Sequence, residues 1–344
     1  MNKIISPEQK ICVLTGGSSG IGFSTAQRII LSGYRLILPC RDKDTCLRTF
    51  SQITNLIGDK DITGENLYTP IMDLSDIKSI DKFVENIIEE YQRIDILILN
   101  AGLQYTGSKY PRFSSQGIEL TVAVNHFAHH YLAFRLLPFI TKSSCPRIII
   151  TSSEVHNPDS PGGRIGRAAK LSNLEGLKQG IGFSMLDGEM NFNADKAYKD
   201  SKLCNILFAK ELSKRFKLKE IKCPVIAWAP GLIIPRTSSG FFRYSRQNNQ
   251  LGQYLFAFFA RDIFKITTET TKAGEYLHDL VINNKYDKYD FIYMSNRLVG
   301  VSKFLFGEEQ VSKEANNQKL SKLLWDLTCQ MLEIDSNYIN TLNS

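Results

Sequence analysis

The sequence predicts a single doubly wound α/β domain, with a parallel sheet of about seven strands and helices on both faces. Two observations lead to this prediction. Short runs rich in Ile, Leu and Val alternate with longer segments of helical periodicity, and the runs are apolar at successive positions. Strands that are apolar on both faces are typical of parallel sheets covered by crossover helices. No internal repeat or long polar linker divides the 344 residues, so one domain over 1–344 is expected.

Strands and helices are expected to alternate along most of the chain. The predicted strands lie in KICVLT, RLILPC, NLYTPIMDL, IDILILNAG, PRIIITSS, CPVIAWAPG and DFIYMS. The predicted helices cover 21–32, 43–57, 76–92, 115–140 and 196–216. Two stretches are predicted to be additions to this core, an insertion with Gly and Pro at 155–195 and an extension at 233–275.

Charge and cysteine content exclude several classes of protein. Lys and Arg number 42 against 35 Asp and Glu, and the two signs alternate, so nucleic-acid binding is not expected. Seven scattered cysteines without a Cys-x-x-Cys pair predict reduced thiols in a cytosol-like compartment, without disulfides or a zinc site. The start, MNKIISPEQK, lacks the apolar core of a signal peptide, and no long apolar window predicts a membrane span. A cytoplasmic protein is expected, with peripheral membrane contact and self-association left open.

A glycine-rich turn, TGGSSGIG, follows the first predicted strand and opens the first helix. Gly16, Gly20 and Gly22 would let the backbone turn tightly and bring N–H groups of Ser18, Ser19 and Ile21 toward a pyrophosphate. The same letters also match the Gly-x-Ser-x-Gly elbow of hydrolases, with Ser18 as nucleophile. A turn without a ligand is the third interpretation. A dinucleotide site is favoured because only about ten residues precede this strand, too few for the oxyanion loop of a hydrolase.

The end of the second strand indicates which dinucleotide binds. A carboxylate there would bond the adenosine ribose and repel a 2′-phosphate. The chain instead reads Pro39-Cys40-Arg41, and the planar guanidinium of Arg41 suits a 2′-phosphate. NADPH is therefore predicted over NADH, with a plain surface charge at Arg41 as the alternative.

Tyr198 and Lys202 lie one helical turn apart in DKAYKDSKLCN. A chain with 14 tyrosines should contain about one Tyr-x-x-x-Lys by chance, so the spacing alone decides nothing. If the pair is functional, the ammonium would stabilise the phenolate and bring the tyrosine pKa down from about 10 toward neutrality. The alternative is an ordinary helix surface.

Four histidines could suggest a metal site, namely His126, His129, His130 and His156. No spacing of a known zinc site accompanies them, so no metal is expected and packing or helix-surface roles are predicted. His156 follows the fifth strand closely enough to line a pocket.

Taken in order, these motifs resemble those of the short-chain dehydrogenase/reductase family along nearly the whole chain. The matching elements are TGGSSGIG, Asp73-Leu74, Asn100-Ala101-Gly102, Asn125, Ser153, Tyr198-x-x-x-Lys202 and Pro230-Gly231. The resemblance implies a Rossmann-type fold and an NADPH-dependent oxidoreductase. A protein that binds NADPH without catalysis is the alternative from another class.

The resemblance also implies a role for each matching residue. Tyr198 would be the general acid, Lys202 would tune it and bond the nicotinamide ribose, and Ser153, rather than Ser152, would bond the substrate oxygen or the phenol. Asn125 would hold a water that links Lys202 to solvent. The remaining matches would contact the cofactor, with Asn100, Ala101 and Gly102 on the adenosine side and Pro230-Gly231 under the nicotinamide.

Within the family, the chain resembles the light-dependent protochlorophyllide reductases first and the retinol dehydrogenases second. The segments 173–205 and 119–132 carry this resemblance, as does the distance of 45 positions from Ser153 to Tyr198. Where those reductases usually have Tyr-Pro-Gly-Cys, this chain has Ala229-Pro230-Gly231-Leu232. The resemblance implies a bulky hydrophobic substrate. This is either a tetrapyrrole or, for a reaction that runs in the dark, an isoprenoid aldehyde or another aldehyde or ketone.

The extension at 233–275 contains an apolar helix. Apolar and aromatic residues run without interruption from Tyr254 to Phe259. Such a helix is buried in the core, covers a hydrophobic substrate as a lid, or touches a membrane surface. The resemblance places a substrate lid here.

Overall fold

The central sheet has eight strands. The structure, a computed structural model, describes residues 9–58, 66–234, 241–248, 250–263, 265–300 and 302–342. In these ranges the strands follow the order β3-β2-β1-β4-β5-β6-β7-β8 across the sheet. Their bounds are β1 Ile11–Leu14, β2 Arg35–Ile37, β3 Leu67–Tyr68, β4 Ile96–Leu99, β5 Arg147–Thr151, β6 Val225–Ala229, β7 Phe291–Gly300 and β8 Lys303–Glu308.

Eleven α-helices connect or flank these strands within the described ranges. They are α1 Gly20–Leu31, α2 Lys43–Ile57, α3 Ile77–Glu90, α4 Leu120–Val122, α5 Ala128–Ile140, α6 Glu175–Lys178, α7 Ala194–Leu218, α8 Arg243–Asn248, α9 Gln250–Ala257, α10 Thr270–Ile282 and α11 Gln318–Met331. None of these described helices is both long enough and apolar enough to cross a membrane.

Both faces of the sheet are covered, which confirms the doubly wound α/β prediction. One core cluster joins the sheet to α1, α2 and α10 through residues such as Ile29, Cys46 and Leu277. The other joins it to α3, α5, α7 and α11 through residues such as Phe83 and Leu324. The strand order reverses between β1 and β4, and in open parallel sheets the crevice at that point is where nucleotides bind.

The seven predicted strands pair in parallel, and β8 is an addition that was not predicted. It runs antiparallel to β7, with Met294 opposite Glu308 and Leu298 opposite Phe304. The third strand is much shorter than its apolar run, because Pro70 has no N–H to continue the ladder. The prediction of an unbroken helix over 115–140 was wrong, since the segment turns helical only at Leu120 and contains a π turn, Ala123–Phe127.

Two buried lysines of α7 hold the insertion at 155–195 against this helix. Lys196 bonds Asp187 of the insertion at 2.8 Å and Asp200 of its own helix at 2.6 Å, and Asp200 also accepts the backbone N–H of Lys170. Lys199 donates to the carbonyls of Gly163 and Ile165. The insertion is therefore fastened to the helix that follows it, although it contains little regular structure.

The C-terminal helix α11 packs along another side of α7. The Ser321 hydroxyl donates to the Leu207 carbonyl at 2.8 Å, and Trp325 stacks on Phe208 at 5.9 Å between ring centroids. Helix α7 is thus supported by the sheet, the insertion and α11 together.

The extension at 233–275 forms α8, α9 and a π turn, Phe258–Ile263, before α10 begins. Positions 235–240, 249 and 264 of this predicted lid, and residues 1–8 of the chain start, lie outside the described residues. Core packing is wrong for four side chains of the apolar run, because Tyr254, Leu255, Phe258 and Phe259 are all exposed, whereas Ala257 packs against a small apolar cluster. The other two interpretations, a lid and a membrane contact, remain.

Candidate active site

The glycine turn after β1 has the geometry of an anion cradle. Gly16 has φ +69°, and a Cβ there would lie 2.7 Å from the Ala101 Cα. A Cβ at Gly22 would lie 2.3 Å from the Gly16 carbonyl oxygen. Ser19 caps α1 without a side-chain bond to the first turn, so the N–H groups there are not occupied by the side chain of the cap residue. The turn therefore fits a pyrophosphate.

The hydrolase interpretation of the same turn finds no support. A serine nucleophile needs a histidine or another base within hydrogen-bond reach. In the described part of the chain no histidine is bonded to Ser18, and His129 bonds Thr15, at the start of the turn.

Thr15 and Asn100 tie together the strand ends that surround the turn. The Thr15 Oγ1 accepts the backbone N–H groups of Asn100 at 2.9 Å and Ala101 at 3.0 Å. Asn100 donates from Nδ2 to the Thr15 carbonyl at 3.1 Å and accepts the Thr151 hydroxyl at 3.3 Å. Trp228 on β6 donates to the same Thr151 hydroxyl oxygen. The ends of β1, β4, β5 and β6 thus form one rigid floor.

Asn125 lies in the π turn and links the loop after β4 to α7. Its Oδ1 accepts the Leu103 N–H at 2.8 Å, and its Nδ2 donates to the Leu103 carbonyl and the Ser201 hydroxyl, both at 3.0 Å. Both amide hydrogens are therefore used by the protein. None remains to donate to the water that the family resemblance assigns to this side chain.

His129 connects this π turn to the floor of the cofactor site. Its Nδ1 lies 3.2 Å from the Asn125 carbonyl and its Nε2 lies 3.0 Å from the Thr15 hydroxyl. Burial, helped by the nearby charge of Lys202, lowers the pKa of His129 to about 3. The ring is therefore a neutral, fixed link between Asn125 and Thr15.

Ser153 and Tyr198 come together at the end of β5. The Ser153 hydroxyl lies close enough to the Tyr198 phenol to favour its charged form, and the Ser153 backbone is extended, with φ −159° and ψ 152°. The neighbouring Ser152 contacts the same helix at another place and donates to the Lys202 carbonyl at 2.8 Å. Ser153 is thus the serine whose hydroxyl faces the Tyr198 phenol.

Lys202 is buried beside this pair. Its Nζ donates to the Thr151 carbonyl at 3.1 Å and lies 5.6 Å from the centre of the Tyr198 ring. A Cβ at Gly102 would lie 3.6 Å from that Nζ, so Gly102 keeps the space beside the ammonium open. Burial lowers the pKa of Lys202 to about 7.

The expected lowering of the Tyr198 pKa is wrong for this structure. Burial raises the pKa of the phenol above its ordinary value of about 10, and the hydrogen bond from Ser153 only partly offsets this. Within the described residues, Lys202 does not hydrogen-bond the phenol. The centroids of the Phe241 and Tyr198 rings are 5.3 Å apart. The phenol is therefore protonated at neutral pH.

The remaining cofactor candidates surround the crevice. Arg41 follows β2 and is exposed, with its Nε 3.4 Å from the carboxylate of Asp42, the residue that caps α2. Asp73 accepts bonds from the N–H and the hydroxyl of Ser75, and Leu74 packs between two apolar clusters. A guanidinium at this edge fits a 2′-phosphate, and a carboxylate one residue away competes for it.

The turn at Pro230-Gly231 is held by a residue that the sequence analysis missed. Gly231 has φ +83°, and a Cβ there would lie 2.9 Å from the Asn296 carbonyl oxygen. Asn296 donates from Nδ2 to the Pro230 carbonyl at 3.0 Å and to the Thr268 hydroxyl at 2.8 Å. No sequence signal marks Asn296, because it lies on β7 and meets the turn only in the folded sheet.

The four histidines are packing residues, and the helix-surface alternative is wrong. His126 lies 3.4 Å from the Thr328 hydroxyl, and His130 lies 3.7 Å from the Cys329 sulfur. His156 is buried and does not line an open pocket, because its ring is bonded to the backbone on both sides. In the described part of the chain, no three His, Cys, Asp or Glu side chains gather as a metal site requires, and all seven cysteines are free thiols.

A sheet with a nucleotide turn at its switch point and a buried tyrosine and lysine at the ends of its strands is typical of an oxidoreductase, here one that uses NADPH. The family model described as short chain dehydrogenase matches residues 10–180. The chain belongs to the short-chain dehydrogenase family.

Several relatives extend the likeness over nearly the whole chain. The chloroplastic protochlorophyllide reductase of Cucumis sativus is 32% identical over 322 residues, which is 92% of this chain and 76% of that protein. The enzyme of Marchantia paleacea is 31% identical and is covered to 69%, with 95% of this chain. The protochlorophyllide reductase of Avena sativa is 29% identical and is covered to 98%, with 92% of this chain.

Solved structures share the fold at lower identity. A putative uncharacterized protein from Mycobacterium paratuberculosis has a TM-score of 0.64 at 20% identity, covering 95% of this chain and 94% of its own. Levodione reductase has a TM-score of 0.60 at 16% identity, covering 83% of this chain and 95% of its own. These likenesses show the Rossmann-type architecture and no more.

Proposed function

We propose that this protein is an NADPH-dependent reductase of a bulky hydrophobic substrate similar to protochlorophyllide, with Tyr198 as the proton donor. The observation that carries the proposal is the convergence of Ser153, Tyr198 and Lys202 beside the glycine turn. The relatives at about 30% identity, named protochlorophyllide reductases, support the substrate class.

The residues of the chain divide the work of binding between them. The turn from Gly16 to Gly22 and the N-terminus of α1 would hold the pyrophosphate, and Arg41 the 2′-phosphate. The loop at Asn100–Gly102 and the turn at Pro230-Gly231 would line the remainder of the site. NADPH, when bound, supplies the hydride.

The proton comes from the protein. Burial keeps the Tyr198 phenol protonated at neutral pH, which is the state that a donor needs. Ser153 orients the phenol by its hydrogen bond. Once the proton has left, the ammonium of Lys202 stabilises the phenolate, and an anionic ligand nearby favours the charged form of this lysine.

Replacing Tyr198 tests the mechanism. Tyr198→Phe should lower turnover by about 10²- to 10⁴-fold, because it removes the general acid, while NADPH binding stays within a factor of about two. Fluorescence titration of NADPH measures the binding. The adjacent serines provide a matched pair, in which Ser153→Ala lowers turnover and Ser152→Ala does not. Turnover unchanged in Tyr198→Phe would contradict the proposal.

The substrate is tested with light. Protein, NADPH and protochlorophyllide are mixed, and the red-shifted absorbance of chlorophyllide is followed before and after illumination. Product that appears only in the light supports the pigment substrate. No product in the light, with intact NADPH binding, contradicts it.

Reduction of a carbonyl substrate in the dark is the second candidate. It is favoured by Ala229, which is buried in the sheet, and by Leu232, which packs in an apolar cluster. Neither residue offers the phenol or thiol found at these positions in the resembling reductases. Turnover of retinal or of other aldehydes and ketones in darkness supports this candidate. If NADPH binds and neither light nor any carbonyl gives turnover, the protein is a non-catalytic NADPH-binding protein.

Arg41 is the residue expected to make the protein prefer NADPH over NADH. Arg41→Asp should weaken NADPH binding by about 10- to 100-fold and move preference toward NADH, because a charge-assisted bond is replaced by repulsion. Arg48→Asp, at an exposed position on α2, makes the same charge change as a control. An unaltered ratio of NADPH to NADH affinity in Arg41→Asp would show that Arg41 is a plain surface charge.

The exposed side of α9 supports peripheral contact with a membrane, where a poorly soluble substrate accumulates. Tyr254 and Leu255 lie on this side, and both are more than a third exposed. Co-sedimentation with phosphatidylcholine vesicles should weaken in Leu255→Ser but not in Leu218→Ser, at an exposed position on α7. Equal sedimentation of the two variants and the parent would contradict membrane contact by α9.

A further inference from the structure

His156 joins the catalytic end of β5 to a distant part of the chain. Its Nδ1 lies 2.7 Å from the carbonyl oxygen of Ser153, and its Nε2 lies 3.3 Å from the backbone nitrogen of Ser312. The side chain is 1% exposed, and its ring packs edge-on against Tyr293 at 5.2 Å. Both ring nitrogens are therefore used, and the ring has no freedom to turn.

The two partners decide the tautomer. A carbonyl oxygen only accepts, so Nδ1 must carry the hydrogen, and a backbone N–H only donates, so Nε2 must be bare. The ring is neutral, because burial lowers the pKa of His156 to about 4. The neutral Nδ1–H form is thus the one state of the ring that satisfies both contacts.

The bond to Ser153 bears on the hydroxyl of that residue. Ser153 is the last extended residue before a 3₁₀ turn, Glu154–His156, and its backbone sets the direction of its side chain toward Tyr198. The carbonyl of Ser153 accepts both the backbone N–H and the ring N–H of His156. The peptide plane next to the catalytic hydroxyl is therefore clamped by one residue.

The other end of the link is itself anchored. Next to Ser312, Glu314 accepts the backbone N–H groups of Leu171 at 2.8 Å and Ser172 at 3.2 Å in the insertion. The Ser312 hydroxyl in turn accepts the N–H of Ala315. His156 thus links Ser153 to a turn that is itself held in place by hydrogen bonds.

We propose that His156 is a positioning residue for the reduction, acting through Ser153 by holding its carbonyl so that its hydroxyl meets the Tyr198 phenol. The inference rests on the proposed function of Ser153 and Tyr198. It assigns no contact between His156 and the substrate.

Two substitutions of His156 test the contributions of its two ring nitrogens separately. In His156→Asn the amide Nδ2 stands where the ring Nδ1 was and can still donate to Ser153, whereas His156→Gln places its amide at the position of Nε2. We expect His156→Asn to keep kcat within a factor of about three, and His156→Gln to lower it by about 10- to 100-fold through misplacement of Ser153. KM and the NADPH Kd should stay within a factor of about two in both variants, because His156 touches neither ligand. Equal kcat losses in the two variants would overturn the proposal.

A double-mutant cycle tests whether the effect passes through Ser153. His156→Gln should lower kcat in the parent protein and have no further effect in a Ser153→Ala background, because the group it positions is gone. A purely structural role predicts an equal loss in both backgrounds, and that result would overturn the inference. If Ser153→Ala itself leaves kcat unchanged, the proposed function of Ser153 fails, and this inference fails with it.

The tautomer gives a test that needs no turnover. The ¹⁵N shifts of labelled His156 in the ligand-free protein should report the Nδ1–H form. An Nε2–H form would overturn the inference whatever the kinetics show. The kinetic assays use protochlorophyllide under illumination and retinal in darkness. Absence of turnover by the parent protein on both would overturn the proposed function and this inference together.

Discussion

Helix α7 carries two buried lysines whose surroundings differ sharply. Lys196 is paired with two carboxylates, those of Asp187 and Asp200, and also donates to the Lys170 carbonyl at 2.9 Å. Lys202 is equally buried, but within the described residues its only bonded partner is the uncharged Thr151 carbonyl. One positive charge is neutralised inside the protein and the other is not.

The pKa values of the two lysines follow from this difference. Burial alone would lower the pKa of Lys196, but the Asp200 and Asp187 carboxylates overcome it and raise the pKa. Burial acts unopposed on Lys202 and lowers its pKa to about 7. The charge of Lys196 is compensated by the fold, whereas that of Lys202 is not, which is the arrangement expected if Lys202 serves the proposed ligand site.

The largest expected effect is on stability, at Lys196. Lys196→Met leaves the carboxylates of Asp187 and Asp200 buried without their partner, which should cost about 3–5 kcal/mol in the free energy of unfolding. Urea denaturation at pH 7 measures this, and turnover per folded molecule should be retained. A loss below about 1 kcal/mol would mean that the interaction of Lys196 with Asp187 and Asp200 contributes no more to stability than a surface ion pair.

The next effect is on catalysis, at Lys202. Lys202→Met should lower kcat/KM by about 100-fold or more, because the phenolate and the cofactor lose a nearby positive charge. The same change removes an uncompensated buried ammonium, so the variant should be more stable at pH 7, by about 1–4 kcal/mol. Steady-state kinetics and urea denaturation of one preparation test both statements. A Lys202→Met variant that is less stable than the parent protein and fully active would contradict both statements.

The smallest effect is a dependence of stability on pH. The folded-state pKa of Lys202 is about 7, below its unfolded value of about 10.4, so between these values the unfolded chain holds a proton that the folded chain lacks. The cost of burying this lysine is therefore complete below about pH 7 and disappears as the pH rises toward 10. The stability advantage of Lys202→Met over the parent should shrink across that window by at most about 1.4 kcal/mol per pH unit. An advantage that is constant from pH 7 to pH 9.5 would show that Lys202 stays charged in the folded protein.

Residues that act through their neighbours in the chain could be predicted from the sequence. The apolar runs of β1, β4, β5 and β6 and the glycine turn at Gly16–Gly22 were predicted correctly, because periodicity and glycine spacing are local properties. The relation of Tyr198 to Lys202 was also visible, because residues four apart share a helix face.

Residues that act through distant partners could not be predicted. The π turn at Asn125 depends on bonds to Leu103 and Ser201, and the neutral link at His129 depends on Thr15, which lies 114 positions earlier. The strand β8 carries lysine and glutamate at its ends, and its pairing with β7 is not encoded in a strong apolar run. In each case the deciding partner is brought in by the fold.

The clamp on Ser153 has a consequence for the order in which the chain folds. The bond from Ser312 to His156 spans 156 positions, and helix α11 packs on a helix made more than 100 residues earlier. At a synthesis rate of about 5–20 residues per second, β5 and α7 are made at least several seconds before the segment that supports them. During this interval the apolar face around Phe208 is without its cover, Trp325. The nascent chain therefore exposes an apolar surface next to the candidate site, and we expect a chaperone that shields this surface until synthesis is finished to raise the yield of native protein.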